Sequence, residues 1–343
     1  MADIDIRIQG RAGRITFTRP KALNALSHPM CLEIEKAMLE WADDPAVHLV
    51  VIDAEGDKAF CAGGDIAELY RTGREGNYAY ARDFWRDEYR LNNYIRNYPK
   101  PVVSLMQGFI MGGGVGIGCH GSHRIVGDTS RISMPECGIG LVPDVGGTYL
   151  LATAPGQLGE YLGVTGARME AADAIHANFA DIYVREERWS ELVSVLCSTG
   201  EAERVVGYSD APPASALKAA QPVIDACFGA GDTAAIMAAL ETDGSDFALG
   251  ALKTISRGSP MSMAATLEII RRLKAEGPTM FGALQMEYRF TWRSMEQSDF
   301  LEGVRAQIID KDRKPNWGST IEGLPPAAVD AILAPLGADE LQP

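Results

Sequence analysis

The chain has 343 residues, 46% apolar and 23% charged. This is an ordinary globular balance with room for two domains or one enlarged domain, and it excludes a disordered, fibrous or coiled-coil protein. Its 32 Lys and Arg against 46 Asp and Glu leave a formal charge of -14, which disfavours non-specific attachment to nucleic acid or an anionic membrane but leaves room for a local basic patch. No apolar run is long enough to span a membrane, and the opening MADIDIRIQGRAGRITF reads as polar residues followed by strands, with no targeting-peptide pattern.

In chain order, the alternation Arg14-Ile15-Thr16-Phe17-Thr18 predicts a half-buried strand closed by Pro20. Ser27 offers an N-cap and Pro29 a first turn to a helix whose apolar positions are Met30, Ile34, Ala37, Met38 and Trp41; Asp43, Asp44 and Pro45 stop it. Residues 47–52 form a more continuously apolar strand, covered on both faces. Phe60 to Asp65 is a tight glycine turn, residues 74–97 read as one long helix, and Val102 to Met106 is a third strand. A second glycine cluster, Met111 to Gly118, leads into a short helix, so strand, glycines and helix recur as in a β/α spiral. A short strand at 122–126 follows, Ile132 to Glu136 leads to a loop rich in glycine and proline, and helices dominate from about Tyr149. Residues 208–214 have linker composition. Beyond them 215–227, 231–239, 246–255, 262–274, 279–292 and 298–308 read as helices. The tail is partly loop with room for one short helix. The domain reading is a core at 1–207 carrying the site and a mainly helical region at 208–343 that packs on or covers it.

The glycine clusters permit close backbone approach and can aim N–H groups at an oxyanion or phosphate; simple tight packing is the competing explanation. Neither a dinucleotide fingerprint nor a Walker lysine is present. If the turns around Gly63-Gly64 and Gly113-Gly114 converge on one carbonyl oxygen, they make an oxyanion hole. Glu136 and Asp144 lie on one Gly/Pro-rich loop and could divide base and acid roles over a common cleft, or serve only as loop caps. His28, His48, His120, His123 and His176 form no ligand set, and no G-x-S-x-G elbow occurs. The six scattered cysteines form no CxxC pair and suggest buried, reduced thiols in a cytoplasmic setting; Cys61 and Cys119 read as packing residues.

Four segments carry a family resemblance: Lys21 to Leu26, Phe60 to Ile66, Gly112 to Gly116, and Met134-Pro135-Glu136 through Pro143-Asp144-Val145-Gly146-Gly147. On them the chain resembles the enoyl-CoA hydratase/isomerase (crotonase) superfamily. The Pro-Asp-Val-Gly-Gly segment and the later Asp299 to Arg305 and Ile309 to Asp312 resemble its 3-hydroxyisobutyryl-CoA hydrolase branch. The resemblance implies an α/β fold, a spiral of β-β-α turns with an extended C-terminal helical region, that binds an acyl-CoA. It implies an oxyanion hole from the Gly64 and Gly113 amides, and a CoA arm lined by Lys21, Ala22, Leu23, Ala62, Asp65 and Ile66. Hydratases of this pattern carry two glutamates; here the first position is Gly116 and the second is Glu136. The hydrolase branch instead pairs the Glu136 position with an acid at the Asp144 position and adds a substrate-contacting glutamate, matching Glu88. The implied reaction is hydrolysis of 3-hydroxyisobutyryl-CoA in valine catabolism, or of a similar linear 3-hydroxyacyl-CoA. Glu136 would act as nucleophile through an anhydride or as base on water, with Asp144 as acid/base partner and hydroxyl contact. No metal or separate cofactor is required, coenzyme A being part of substrate and product. Nucleic acid and membrane are not expected partners, and a homo-oligomer is left open. Enoyl-CoA hydration or isomerisation is the alternative, and a fold-retaining binding protein a further one.

Overall fold

The computed structural model describes residues 3–343; Met1 and Ala2, at the start of the opening segment, lie outside the described residues. The strands are β1 (Ile4–Gln9), β2 (Ala12–Phe17), β3 (Leu49–Ala54), β4 (Ala59–Cys61), β5 (Val102–Met106), β6 (Phe109–Met111), β7 (His123–Val126), β8 (Arg131–Ser133) and β9 (Ile182–Tyr183). The helices are α1 (His28–Ala42), α2 (Ile66–Arg74), α3 (Tyr78–Arg96), α4 (Gly113–Gly118), α5 (Gly147–Thr153), α6 (Leu158–Thr165), α7 (Ala171–His176), α8 (Trp189–Thr199), α9 (Ala216–Phe228), α10 (Thr233–Asp243), α11 (Asp246–Ile255), α12 (Pro260–Glu276), α13 (Met280–Gln297), α14 (Phe300–Val304) and α15 (Pro326–Ile332).

The chain divides into two compact units, each gathered from separated stretches. The first comprises the stretch ending at Gly64, Asp87–Ser133 and Met169–Ser215. It holds two sheets. One has the order β1-β2-β3-β5-β7-β9, with β1 and β2 an antiparallel hairpin and every later pair parallel; the other is β4-β6-β8, also parallel. Each of β3-β4, β5-β6 and β7-β8 steps from the large sheet to the small one, and helices follow, which is the expected spiral of β-β-α turns. The unbroken apolar character of residues 49–52 has its reason in two-sided cover. Leu49 and Val51 join Val103, Leu105 and Ile125 in a cluster with Leu192 and Leu196 of α8. Val50 and Ile52 are also fully buried. Burying each such side chain stabilises the fold by about 1.5–3 kcal/mol.

The second unit comprises Asp65–Arg86, Met134–Arg168 and the chain from Ala216 onward. Within it α5, α6 and α12 pack against one another, α13 packs on α5 and α12, and Tyr161 of α6 meets Phe228 of α9 edge-on at 5.2 Å. Ser259 caps α12 by accepting the Ser262 N–H, and its hydroxyl donates to the Asp299 carboxylate at 2.6 Å.

The structure corrects three expectations. The long helix expected over 74–97 is α3, Tyr78–Arg96, and starts four residues later than expected: Arg74 ends α2, and Gly76 turns the chain with a φ of 77°. Residues 298–308 are α14 followed by a wider π turn, Arg305–Ile309, where Arg305 binds Glu302, Asp310 and Asp312. The mostly helical stretch after Tyr149 also contains β9, whose two residues pair with β7 and are too short to show alternation.

Candidate active site

In the first unit, Asn24 organises the Lys21 to Leu26 segment. Its buried amide donates to the carbonyls of Glu55 at 3.0 Å and Ala59 at 2.8 Å, and its Oδ1 accepts the Arg19 N–H at 2.9 Å. Leu23 and Asn24 hold left-handed backbone, and the Leu23 carbonyl accepts the Ala62 N–H at 3.0 Å while the Leu26 N–H donates to Gly63 at 2.9 Å. The Lys21–Leu23 and Ala62–Gly64 segments therefore lie side by side, with Lys21, Ala22 and Leu23 exposed. Asp65 and Ile66 form the start of α2, half-buried, in the second unit.

Gly112 takes a φ of 47°, open to glycine without strain, and Gly113 opens α4, so its N–H has no acceptor one helical turn earlier. A Cβ placed on Gly113 would stand 2.7 Å from Glu88 Oε1 and 3.5 Å from the Gly64 nitrogen. The structure thus brings Gly64, Gly113 and the buried Glu88 into one small volume. Gly116 lies buried within α4 and offers no carboxylate.

In the second unit, Glu136 opens a single 3-10 turn, Glu136–Ile139, directly after Pro135. It is 5% exposed, as is Asp144, and its Oε2 is buried with no hydrogen-bond partner among the described residues. Burial pushes the Glu136 carboxyl well above the usual carboxylate range, and the charges of Asp144 and then Glu287 push it in the same direction. Asp144 precedes a tight turn closed by a Gly147 N–H to Asp144 carbonyl bond of 2.6 Å, with Val145 and Gly146 both left-handed at φ of 55° and 78°. Glu287 of α13, fully buried, accepts the Gly146 N–H at 2.8 Å on one oxygen; its other oxygen accepts the Thr148 N–H at 2.9 Å and the Thr148 hydroxyl. Burial raises Glu287 to about 8 against the opposing pull of these hydrogen bonds. A carboxyl of raised proton affinity, once ionised, is a stronger base or nucleophile than an ordinary one.

Sequence reasoning missed Glu287. Its only local signal is an acid on the buried stripe of α13, among Ala283, Leu284, Phe290 and Thr291. The cysteines are free and buried, and burial pushes Cys61 and Cys119 up to about 12, so neither is a ready thiolate. His28 pairs with Asp87 at 2.8 Å. Among the described residues, no group of three or more His, Cys, Asp or Glu could hold a metal ion, and no helix is long and apolar enough to cross a membrane.

Residues 12–333 match the family model described as enoyl-CoA hydratase/isomerase. The mitochondrial 3-hydroxyisobutyryl-CoA hydrolase of Xenopus tropicalis is 40% identical over 97% of this chain and 89% of its own length. A crystal structure of an enoyl-CoA hydratase from Rhodobacter sphaeroides is 54% identical with a TM-score of 0.95, covering 99% of this chain and 100% of that one. A carnitinyl-CoA dehydratase from Mycobacterium thermoresistibile is 39% identical, also with a TM-score of 0.95, over 100% of this chain and 99% of that one. These findings correct one expectation. The cytoplasmic setting does not stand, because the curated relatives are mitochondrial by name, and buried, reduced thiols do not distinguish the two compartments.

Proposed function

The chain belongs to the enoyl-CoA hydratase/isomerase (crotonase) family and acts on CoA thioesters, and from that premise we propose that it hydrolyses a short 3-hydroxyacyl-CoA, with 3-hydroxyisobutyryl-CoA the first candidate. The observation that carries this reading is the buried pair Glu136 and Asp144, combined with a glycine at position 116.

In the proposed reaction the Gly64 and Gly113 amides carry the negative charge that develops on the thioester oxygen. The Glu136 carboxylate attacks the carbonyl carbon, the C–S bond breaks, and CoA leaves as a thiolate; water then hydrolyses the mixed anhydride and returns the free carboxylate. Glu136 acting as base on the attacking water gives the same products. Asp144 contacts the 3-hydroxyl and shares the proton traffic, and Glu88 helps hold the acyl end. Lys21, Ala22, Leu23, Ala62, Asp65 and Ile66 serve the CoA arm, mostly through backbone and apolar contacts. The thiolate is an adequate leaving group without Lewis-acid help. The curated hydrolases of similar sequence support this reading.

The second reading, hydration or isomerisation of an enoyl-CoA, has the more direct backing from the comparisons. The family description names it, and so does the structure of highest identity described above. Against ordinary hydration stands the missing carboxylate at Gly116. The deciding experiment offers 3-hydroxyisobutyryl-CoA, crotonyl-CoA and a saturated acyl-CoA to the protein, following free thiol and acyl product separately. Thiol release from the first with little hydration of the second is the expected result; rapid hydration of crotonyl-CoA without thiol release overturns the hydrolase reading.

A further inference from the structure

We propose that Glu287 is a positioning residue for the reacting carboxylates: it holds the strained turn that carries Asp144, and through that turn the place of the acid beside Glu136. The inference rests on the reading that Glu136 and Asp144 do the chemistry. Three donors converge on this one buried carboxylate, the N–H groups of Gly146 and Thr148 and the Thr148 hydroxyl, all within the segment just after Asp144. That segment needs a clamp. Val145 sits at a φ of 55°, and a β-branched side chain in the left-handed region costs on the order of 1–3 kcal/mol unless its surroundings enforce it. Glu287 engages the residues on both sides of Gly147, so Val145 cannot relax to an extended backbone without stretching the bond to Gly146.

A fully buried acid is costly to ionise, and a structural clamp could as well be a neutral side chain. Asn or Gln, however, presents one N–H-bearing end, whereas the turn supplies donors to both oxygens, so only a carboxyl group, with acceptor lone pairs on both, accepts from all three. Of the ionisable side chains around it, Asp144 and Glu136 act on it or feel it. On the helices packed against α13, Glu268 of α12 binds Arg271 and Arg272, Lys274 of α12 binds Glu160 of α6, Asp330 of α15 binds Arg272, and Glu276 is exposed at the end of α12. On α14, Glu302 binds Arg305, and Asp299 before it accepts the Ser259 hydroxyl and the Gly318 N–H; Tyr149 is the titratable side chain of α5 itself. No cation among these is a Glu287 partner, and the ionisation of Asp144 and of Glu287 each opposes that of Glu136.

The test is Glu287→Gln in the intact chain, with Glu136 titrated directly by carboxyl-carbon NMR on 13C-glutamate-labelled protein, its signal assigned by Glu136→Gln. Removing a neighbouring acid whose ionisation opposes that of Glu136 is expected to lower the Glu136 midpoint by at least about 0.5 pH unit. The acid limb of kcat is expected to move the same way, while kcat at its optimum falls at least about 10-fold and KM changes less than about 3-fold. Glu287→Asp keeps an ionisable carboxyl and shortens the reach, so it should retain the wild-type Glu136 midpoint and still lose kcat. If Glu287→Gln does not fold, Glu287→Asp and Thr148→Val carry the test, the second removing one donor and leaving the carboxyl; each should lower kcat with the midpoint unmoved. A folded Glu287→Gln protein with an unshifted Glu136 midpoint overturns the proposal, and so does loss of thermal stability with kcat unchanged. The NMR midpoint needs no turnover, and the kinetic arm uses whichever of hydrolysis or hydration the wild-type protein performs. Failure of the hydrolase reading is therefore visible separately, as absence of thiol release.

Discussion

Glu136 combines burial, a polar oxygen with no protein hydrogen bond among the described residues, and two acidic neighbours, a costly arrangement unless the side chain is meant to gain and lose a proton. Glu136→Gln keeps the shape but not the basicity, so turnover should drop at least about 100-fold while acyl-CoA binding, measured by calorimetry, persists. Near-native turnover by a folded variant removes Glu136 from the chemical role. Asp144→Asn should penalise a 3-hydroxyacyl-CoA more than its deoxy analogue, since only the former loses a polar contact; equal losses on both substrates would leave Asp144 without a hydroxyl-specific part. At Gly114 a methyl would collide with the Cys61 carbonyl, which is backbone and cannot step aside. Gly114→Ala should therefore cost about 1–3 kcal/mol in urea unfolding, and an unchanged midpoint would show that α4 can shift. The two carboxylates and the glycines were legible in the sequence because each motif is local, a turn or cap that a few neighbouring residues determine. Glu287 was not legible, because its partners sit on a different element far along the chain.

Helices announced themselves by period and caps. Of the long C-terminal ones, α11 spans Asp246–Ile255 as the pattern predicts, and α12 begins behind a Ser-Pro start. The Ser259 hydroxyl has two tasks, accepting the Ser262 N–H and donating to buried Asp299, while its backbone N–H donates to the Cys137 carbonyl beside Glu136 at 2.9 Å. Ser259→Ala should cost about 1–2 kcal/mol. Ser259→Thr, which keeps the hydroxyl, should recover most of it; equal unfolding midpoints for the Ala variant and wild type would deny the cap its role. The break between α2 and α3 is only three residues, Glu75, Gly76 and Asn77, too short to interrupt the apolar period, and a single glycine with positive φ turns the chain there. The π turn after α14 depends on Arg305 gathering three acids, an arrangement no periodic pattern encodes.

At the scale of the molecule, a buried acid whose proton affinity rises on folding makes stability depend on pH. Glu287 moves from the ordinary 4.5 to about 8 in the folded chain. Below the lower value both states hold the proton and the full stability is present; as pH rises from there through about 8 the unfolded chain releases its proton first, and stability falls. Glu287→Gln does not titrate, so its stability relative to wild type should improve steadily as urea unfolding is repeated from pH 5 to pH 8. A difference independent of pH would mean that Glu287 ionises normally in the folded protein. From the sequence alone came the strand–glycine–helix recurrence, the Glu136 and Asp144 loop, the family resemblance and most helix positions, because each rests on neighbouring residues and short-range sterics. Tertiary structure alone decided that β9 joins the large sheet, that each compact unit is gathered from separated stretches, and that Glu287 closes on the Asp144 turn. It also decided how strongly Glu136 holds its proton, since burial and Coulomb interaction depend on distance through space, which the order of residues along the chain does not specify.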